Sequence, residues 1–232
     1  MFLDKLDKIK SLIIKPKVFD EQNTELLNKT NSENIKSAYN SVVTNLIYSK
    51  SDKKCKKTLI TSYEYGEGKT SFAINLSIAL AYNLINKKIL LIDADINAPH
   101  VAEFINGELV ETENKIGLSE YLSDPKSECN IEKTEINNLD VILAGKNNEN
   151  ASGFINSDRM SELLNKLENE YDYIIIDTAP TNRSSDAVML SKDVDGYILS
   201  TKAKFTTVQM LSSITDKLDS IGANIHGVVL TH

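Results

Sequence analysis

Along this chain, short and almost unbroken apolar runs alternate with longer segments in which apolar residues return every third or fourth position. The runs are "KTLITS" (57–62), "KKILLIDAD" (87–95), "NLDVILAG" (138–145), "DYIIIDTAP" (172–180), "GYILSTK" (196–202) and "HGVVLTH" (226–232). Polar residues sit mainly at their ends, which predicts strands covered on both faces. The helical period predicts helices over 33–49, 69–85, 157–171 and 206–222. Strands alternating with helices predict an α/β fold, a mostly parallel central sheet flanked by helices. In such a fold the strand C-terminal ends share one edge, and ligands bind there. At the other end of the chain, Phe2, Leu6, Ile9 and Ile13 share a helical spacing, and Pro16 is placed to stop that helix. The pattern divides the chain into an amphipathic segment and linker, 1–32, and a domain, 33–232.

Composition narrows the picture. With 232 residues, 41% of them hydrophobic, and a net charge of -7, the chain reads as one soluble domain with a sizeable core. No apolar run approaches the roughly 20 residues of a membrane helix. The opening "MFLDKLDKIK" has no uninterrupted apolar stretch of the secretory kind. Cys55 and Cys129 form no metal-type spacing, so a reducing cytoplasm is expected. An acidic chain without a dense basic patch is not expected to bind nucleic acid. Residues 1–17 are the exception: five lysines outweigh Asp4 and Asp7, the pattern of a helix that lies on an anionic membrane or docks on a partner, unless it packs on its own domain.

Candidate chemistry gathers at the strand ends. "TSYEYGEGKTS" (61–71) lies between a predicted strand and a predicted helix and ends like the phosphate-loop template G-x-x-x-x-G-K-[ST]. Tyr63 stands where the template has its first glycine; Gly66, inside the loop, supplies backbone freedom. Backbone amides of Tyr65, Gly66, Glu67, Gly68, Lys69, Thr70 and Ser71 are placed to surround phosphate oxygens. Lys69 is expected to reach the outer phosphates and the Thr70 hydroxyl to bind magnesium. Asp93 and Asp95 are two residues apart and share a side if the strand runs through both. Asp177 ends a second strand. Carboxylates beside a phosphate loop suit a hard, oxygen-seeking cation, a proton acceptor, or both.

These segments, together with "SAYNSVVTNLIYS", "GLSEYLSD" and "DAVMLSKDVDGYILSTKAKFTT", resemble the bacterial tyrosine kinases of capsule and exopolysaccharide synthesis. That family belongs to the MinD/ParA-like group of P-loop ATPases, and the likeness spans about residues 33–232. The resemblance implies ATP and Mg2+ as cofactors, with the metal held by Thr70, Asp95 and Asp177. It implies that Lys69, Asp93 and Asp95 serve catalysis; Asp93 is the favoured acceptor of the tyrosine proton, although the motif alone does not separate it from Asp95. It also implies a soluble kinase at the inner face of the plasma membrane, activated by the cytoplasmic tail of a membrane polysaccharide co-polymerase and able to form homo-oligomers.

The chain departs from the family pattern in several places. No tyrosine follows Tyr197, where the family carries its acceptor cluster. Asn97 replaces the arginine of Asp-x-Asp-x-Arg; Arg183 is a candidate substitute, although an exposed structural arginine is the favoured reading. Ser37, Asn40 and Val43 occupy places where the family has a charged interlock between subunits, and "GKNNENASGF" replaces a Pro-x-Pro stretch. Two further readings therefore stand beside the kinase: a MinD/ParA-type ATPase switch, disfavoured by the lack of an early loop lysine, and a catalytically weak ATP-binding scaffold.

Overall fold

The computed structural model describes residues 13–14, 27, 33–49, 54–105, 116–146 and 151–231. Its strands are β1 (Ile13–Ile14), β2 (Lys56–Ser62), β3 (Ile89–Asp93), β4 (Glu132–Lys133), β5 (Leu139–Ile142), β6 (Tyr173–Asp177), β7 (Gly196–Lys202) and β8 (Ile225–Thr231). Its helices are α1 (Glu33–Ile47), α2 (Lys69–Asn83), α3 (Val101–Ile105), α4 (Leu118–Ser123), α5 (Ala151–Ile155), α6 (Asp158–Leu167), α7 (Asp186–Met189) and α8 (Val208–Ser220). A short 3-10 turn, Leu190–Lys192, follows α7. The strands form one sheet in the order β1-β8-β7-β2-β6-β3-β5-β4, parallel except where β4 pairs with β5.

Both faces of the sheet are buried, as the apolar runs require. Ile60, Leu91, Ile175 and Ile198 point to the face covered by α1 and α2. Their chain neighbours Leu59, Leu90, Ile174 and Leu199 point to the other, covered by α6 and α8. This is strand periodicity expressed twice, once into each core. Helix α2 is enclosed on nearly every side, from Phe72 through Ala81, between the sheet and α1. That explains why its sequence is apolar all round, whereas α6 keeps one buried stripe of Met160, Leu163, Leu164 and Leu167.

Two elements differ from the sequence expectation. The amphipathic helix predicted over 1–17 does not hold at its described end: Ile13–Ile14 is a strand, in parallel register with Val228 and Val229 of β8. Two β-branched residues suit an extended chain, and β8 offers them an open edge. Residues 1–12 and 15–17 lie outside the described part. The buried Leu27 also joins the domain, its amide donating to Asn75 Oδ1 on α2 at 2.6 Å. Strand β4, with one buried residue in "EK", carries no apolar run to announce it.

On α1, the family's interlock positions have other uses. Val43 is buried, and Asn40 Oδ1 accepts from Asn83 Nδ2 at 2.9 Å across α1 and α2. Among the described residues no helix is long and apolar enough to cross a membrane.

Candidate nucleotide site

The sheet order places β6 between β2 and β3, so three strand ends meet at one point. Register does the rest. Asp93, the last residue of β3, lies directly beside Asp177, the last residue of β6, and Ile60 of β2 flanks Asp177 on its other side. Beyond β2 the chain turns through residues 63–68 into α2. Gly66 and Gly68 have φ values of 78° and 73°, the left-handed region that glycine enters without strain. Gly68 is the N-cap of α2 and offers no side chain to the first amides of the helix. A 15-residue helix thus opens with uncapped N–H groups at the converging strand ends, the arrangement that attracts an anion.

The loop is held from beneath. Glu67 is fully buried: its carboxylate accepts the Glu64 amide at 2.7 Å and the Thr206 hydroxyl, and its carbonyl accepts the hydroxyls of Ser200 and Thr231. Burial pushes the Glu67 carboxyl above its ordinary range, against the pull of those donors. The sequence assigns Glu67 to the phosphate cradle through its backbone amide; its side chain has the separate task of bracing the loop. Tyr65 likewise spends its amide on Glu64 Oε1, at 3.0 Å. Its half-exposed ring lies over Lys69, whose Nζ is 5.7 Å from the ring centroid. Ser71 lies half-buried in the first turn of α2.

A second brace comes from the segment after β6. Glu64 Oε1 accepts from Arg183 Nε at 2.8 Å and Glu64 Oε2 from Asn182 Nδ2 at 3.0 Å. The Arg183 contact is the first reason, and the Tyr65 amide the second, that the Glu64 carboxyl falls to about 2. Arg183 therefore stands at the flank of the phosphate loop, paired to it rather than directed at the aspartates. The Glu64–Arg183 pair and the Glu67–Thr206 bond were not legible in the sequence, because each joins residues more than a hundred positions apart.

The charged centre is buried. Lys69, Asp93, Asp95 and Asp177 are all nearly inaccessible. The strand stops at Asp93, so Asp95 does not share its direction as a continuous strand would require. The chain turns toward Ala98, whose amide donates to Asp95 Oδ1 at 3.3 Å, and Asp95 Oδ2 takes Lys69 Nζ at 2.8 Å. Asp93 is fixed by backbone instead: Oδ1 accepts the Asp95 amide and Oδ2 the Val101 amide, each at 3.2 Å. Burial first, then the Asp177 and Asp95 carboxylates, holds Asp93 well above the usual carboxylate range. Burial alone would lower Lys69, but Asp177 and Asp95 outweigh it and hold its ammonium above its ordinary value.

Asp177 decides what the site lacks. Both of its carboxylate oxygens are buried and neither has a hydrogen-bond partner of good geometry, although the neighbouring Thr70 hydroxyl favours its anion. Burial, the largest influence, pushes its pKa up. Three carboxylates share one ammonium here, and an unpaired buried carboxylate is costly. A divalent cation against Asp177 and Thr70 would relieve that imbalance. Among the described residues no three His, Cys, Asp or Glu side chains could hold a metal by themselves. The fit is thus to an ion that takes a hydroxyl, waters and phosphate oxygens alongside carboxylate, which is magnesium chemistry.

The same arrangement has known counterparts. An AAA-domain family model matches residues 55–227. The tyrosine-protein kinase YwqD of Bacillus subtilis is 30% identical over 195 residues, covering 83% of this chain and 78% of that protein. The chain belongs to the bacterial tyrosine-protein kinase family. Among solved structures, the chimerical protein CapA2B2 superposes with a TM-score of 0.82 at 25% identity, over 97% of each chain. The wider fold extends to the septum site-determining protein MinD of Pyrococcus horikoshii, solved with Mg-ADP, at a TM-score of 0.58 and 24% identity over 76% of this chain and 70% of that one. Within the tyrosine-protein kinase family, then, this chain has a mostly parallel sheet with the loop and three aspartates at one edge.

Proposed function

We propose that this chain is a magnesium- and ATP-dependent protein tyrosine kinase. The observation that carries the reading is the buried, unpartnered Asp177 carboxylate beside Thr70, at the open N-terminus of α2. Family membership adds the reaction: the relatives are tyrosine-protein kinases.

Each residue then has a task. The amides from Gly66 to Ser71 and the N-terminus of α2 cradle the phosphates. Lys69 would pair with the outer phosphates, and Thr70, Asp177 and the Asp95 carboxylate it now holds would serve the metal. When bound, magnesium neutralises charge on the phosphate oxygens as the terminal group transfers. Asp93 accepts the tyrosine proton. The Asp95 and Val101 amides, which donate to its two oxygens, fix the carboxylate in place for that task. The resemblance to kinases of capsule and exopolysaccharide synthesis supports a setting at the inner face of the membrane, with activation by the cytoplasmic tail of a polysaccharide co-polymerase.

The test separates binding from transfer. Asp93→Asn is expected to keep Mg-ADP affinity within about threefold while lowering phosphotyrosine formation at least a hundredfold, within the usual reach of a general base. Transfer at the native rate in Asp93→Asn would move the proton acceptor elsewhere, and Asp95→Asn is the next variant to measure.

A further inference from the structure

The chain has nine tyrosines, all within the described residues, and their exposure sorts them as phosphate acceptors. Tyr39, Tyr171, Tyr173 and Tyr197 are buried. Tyr63 and Tyr121 are half-buried, and the Tyr121 ring is covered by the Arg159 guanidinium at 4.2 Å. Tyr65 belongs to the phosphate loop; it is 37% exposed, and its ring lies over Lys69, with Nζ 5.7 Å from the centroid. Tyr82, one residue from the end of α2, is 49% exposed, so about half of its side chain is covered. Tyr48 remains. It is 81% exposed, the most open of the nine, and it lies in the turn just past α1.

That turn is built rather than loose. Lys56 Nζ donates to the carbonyls of Leu46, Ile47 and Ser49 at 3.0, 2.6 and 3.1 Å, closing the end of α1 on both sides of Tyr48. The backbone is held and the ring stands in solvent. The same contacts fix its place in the fold. Lys56 is the first residue of β2, and the phosphate loop follows its last. At about 3.3 Å per residue, the seven residues of β2 separate the two ends by about 20 Å. Tyr48 therefore lies at the sheet edge opposite its own phosphate site and cannot enter it.

We propose that Tyr48 is a phosphorylation site, modified by the nucleotide site of a second copy of this chain. The proposal rests on the kinase reading above. In the step, the Tyr48 phenolic oxygen bonds to the terminal phosphorus of ATP as the bond from that phosphorus to the bridging oxygen breaks. ADP departs with the electron pair, and the phenolic proton passes to a carboxylate of the acting copy. Transfer between copies is second order in protein, unlike any transfer within one chain.

The experiment incubates the full wild-type chain with Mg-ATP, the co-polymerase tail peptide and an acceptor chain carrying Asp177→Asn, distinguished by mass. A random Glu-Tyr copolymer is assayed in parallel as a general acceptor, and phosphotyrosine is mapped by mass spectrometry. Phosphate is expected on Tyr48 of the acceptor chain, with an initial rate that quadruples when the wild-type and acceptor concentrations are both doubled. Tyr48→Phe, a surface change that leaves the fold intact, is expected to lower incorporation into the chain at least tenfold while copolymer phosphorylation persists. Phosphate on another tyrosine, or none on the chain while the copolymer is phosphorylated, overturns the proposal and leaves the kinase reading standing. Phosphate on neither overturns the kinase reading, and this proposal with it.

Discussion

Lys69→Met is expected to weaken ADP binding at least a hundredfold and to destabilise the chain as well. The binding loss follows from the loop: Lys69 is the cation at the mouth of α2, and a thioether offers no charge to a phosphate. The stability loss follows from burial. Lys69 and Asp95 form a 2.8 Å pair in which the two side chains are 7% and 1% exposed. Removing one partner leaves the other charged and unpaired in a low-dielectric site, which costs about 3–5 kcal/mol. The two losses separate in a second variant. Lys69→Met with Asp95→Asn removes both charges, so most of the stability returns while nucleotide binding does not. Chemical denaturation and calorimetry of both variants check this; full ADP affinity in either would remove Lys69 from the site.

Asp177→Asn is expected to act in opposite directions on stability and binding. The nucleotide-free protein should melt a few degrees higher, the response to about 1 kcal/mol in a chain of this size. The substitution keeps the shape and removes a buried charge whose oxygens have no hydrogen-bond partner of good geometry. Magnesium-dependent nucleotide affinity should fall about tenfold, because the ion loses one of its carboxylates. The pH dependence follows with a definite sign. In the unfolded chain Asp177 titrates in the ordinary carboxylate range; in the folded, nucleotide-free chain burial raises its pKa. Between those two values the folded state holds the extra proton, so its stability falls as pH rises through that window. Asp177→Asn removes this part of the slope, and bound Mg-nucleotide should flatten it too by giving the carboxylate a partner. A wild-type slope unchanged by the substitution would show that Asp177 is paired in a way the structure does not contain.

Much of the fold could be read from local pattern, because a doubly covered parallel sheet writes each strand as a compact apolar run. "YIIID" and "ILLID" gave both the strands and their ends, and pairing placed Asp93 beside Asp177. What escaped was set by distant contacts. Ile13 fits a helical period, yet the free edge of β8 takes it as a strand. Asp95 sits in a strand-like alternation, yet the turn at Ala98 swings it onto Lys69. Glu67 reads as one more loop residue until Thr206 and Ser200 reveal it as the loop's anchor. Arg183 reads as a structural arginine more readily than as a stand-in for the missing one, but nothing local names its partner, Glu64, 119 positions away in sequence. Residue types therefore announced the chemistry, and the sheet order decided which of them brace the site and which face the ligand.

The most direct test of the metal–nucleotide site is a calorimetric titration of ADP into the wild-type chain, with magnesium and again with the metal chelated. The buried aspartates and the open end of α2 predict heat and saturable binding with magnesium, and affinity at least tenfold weaker without it. No binding in the presence of magnesium, or the same affinity with the metal removed, would contradict the assignment of Asp177 and Thr70.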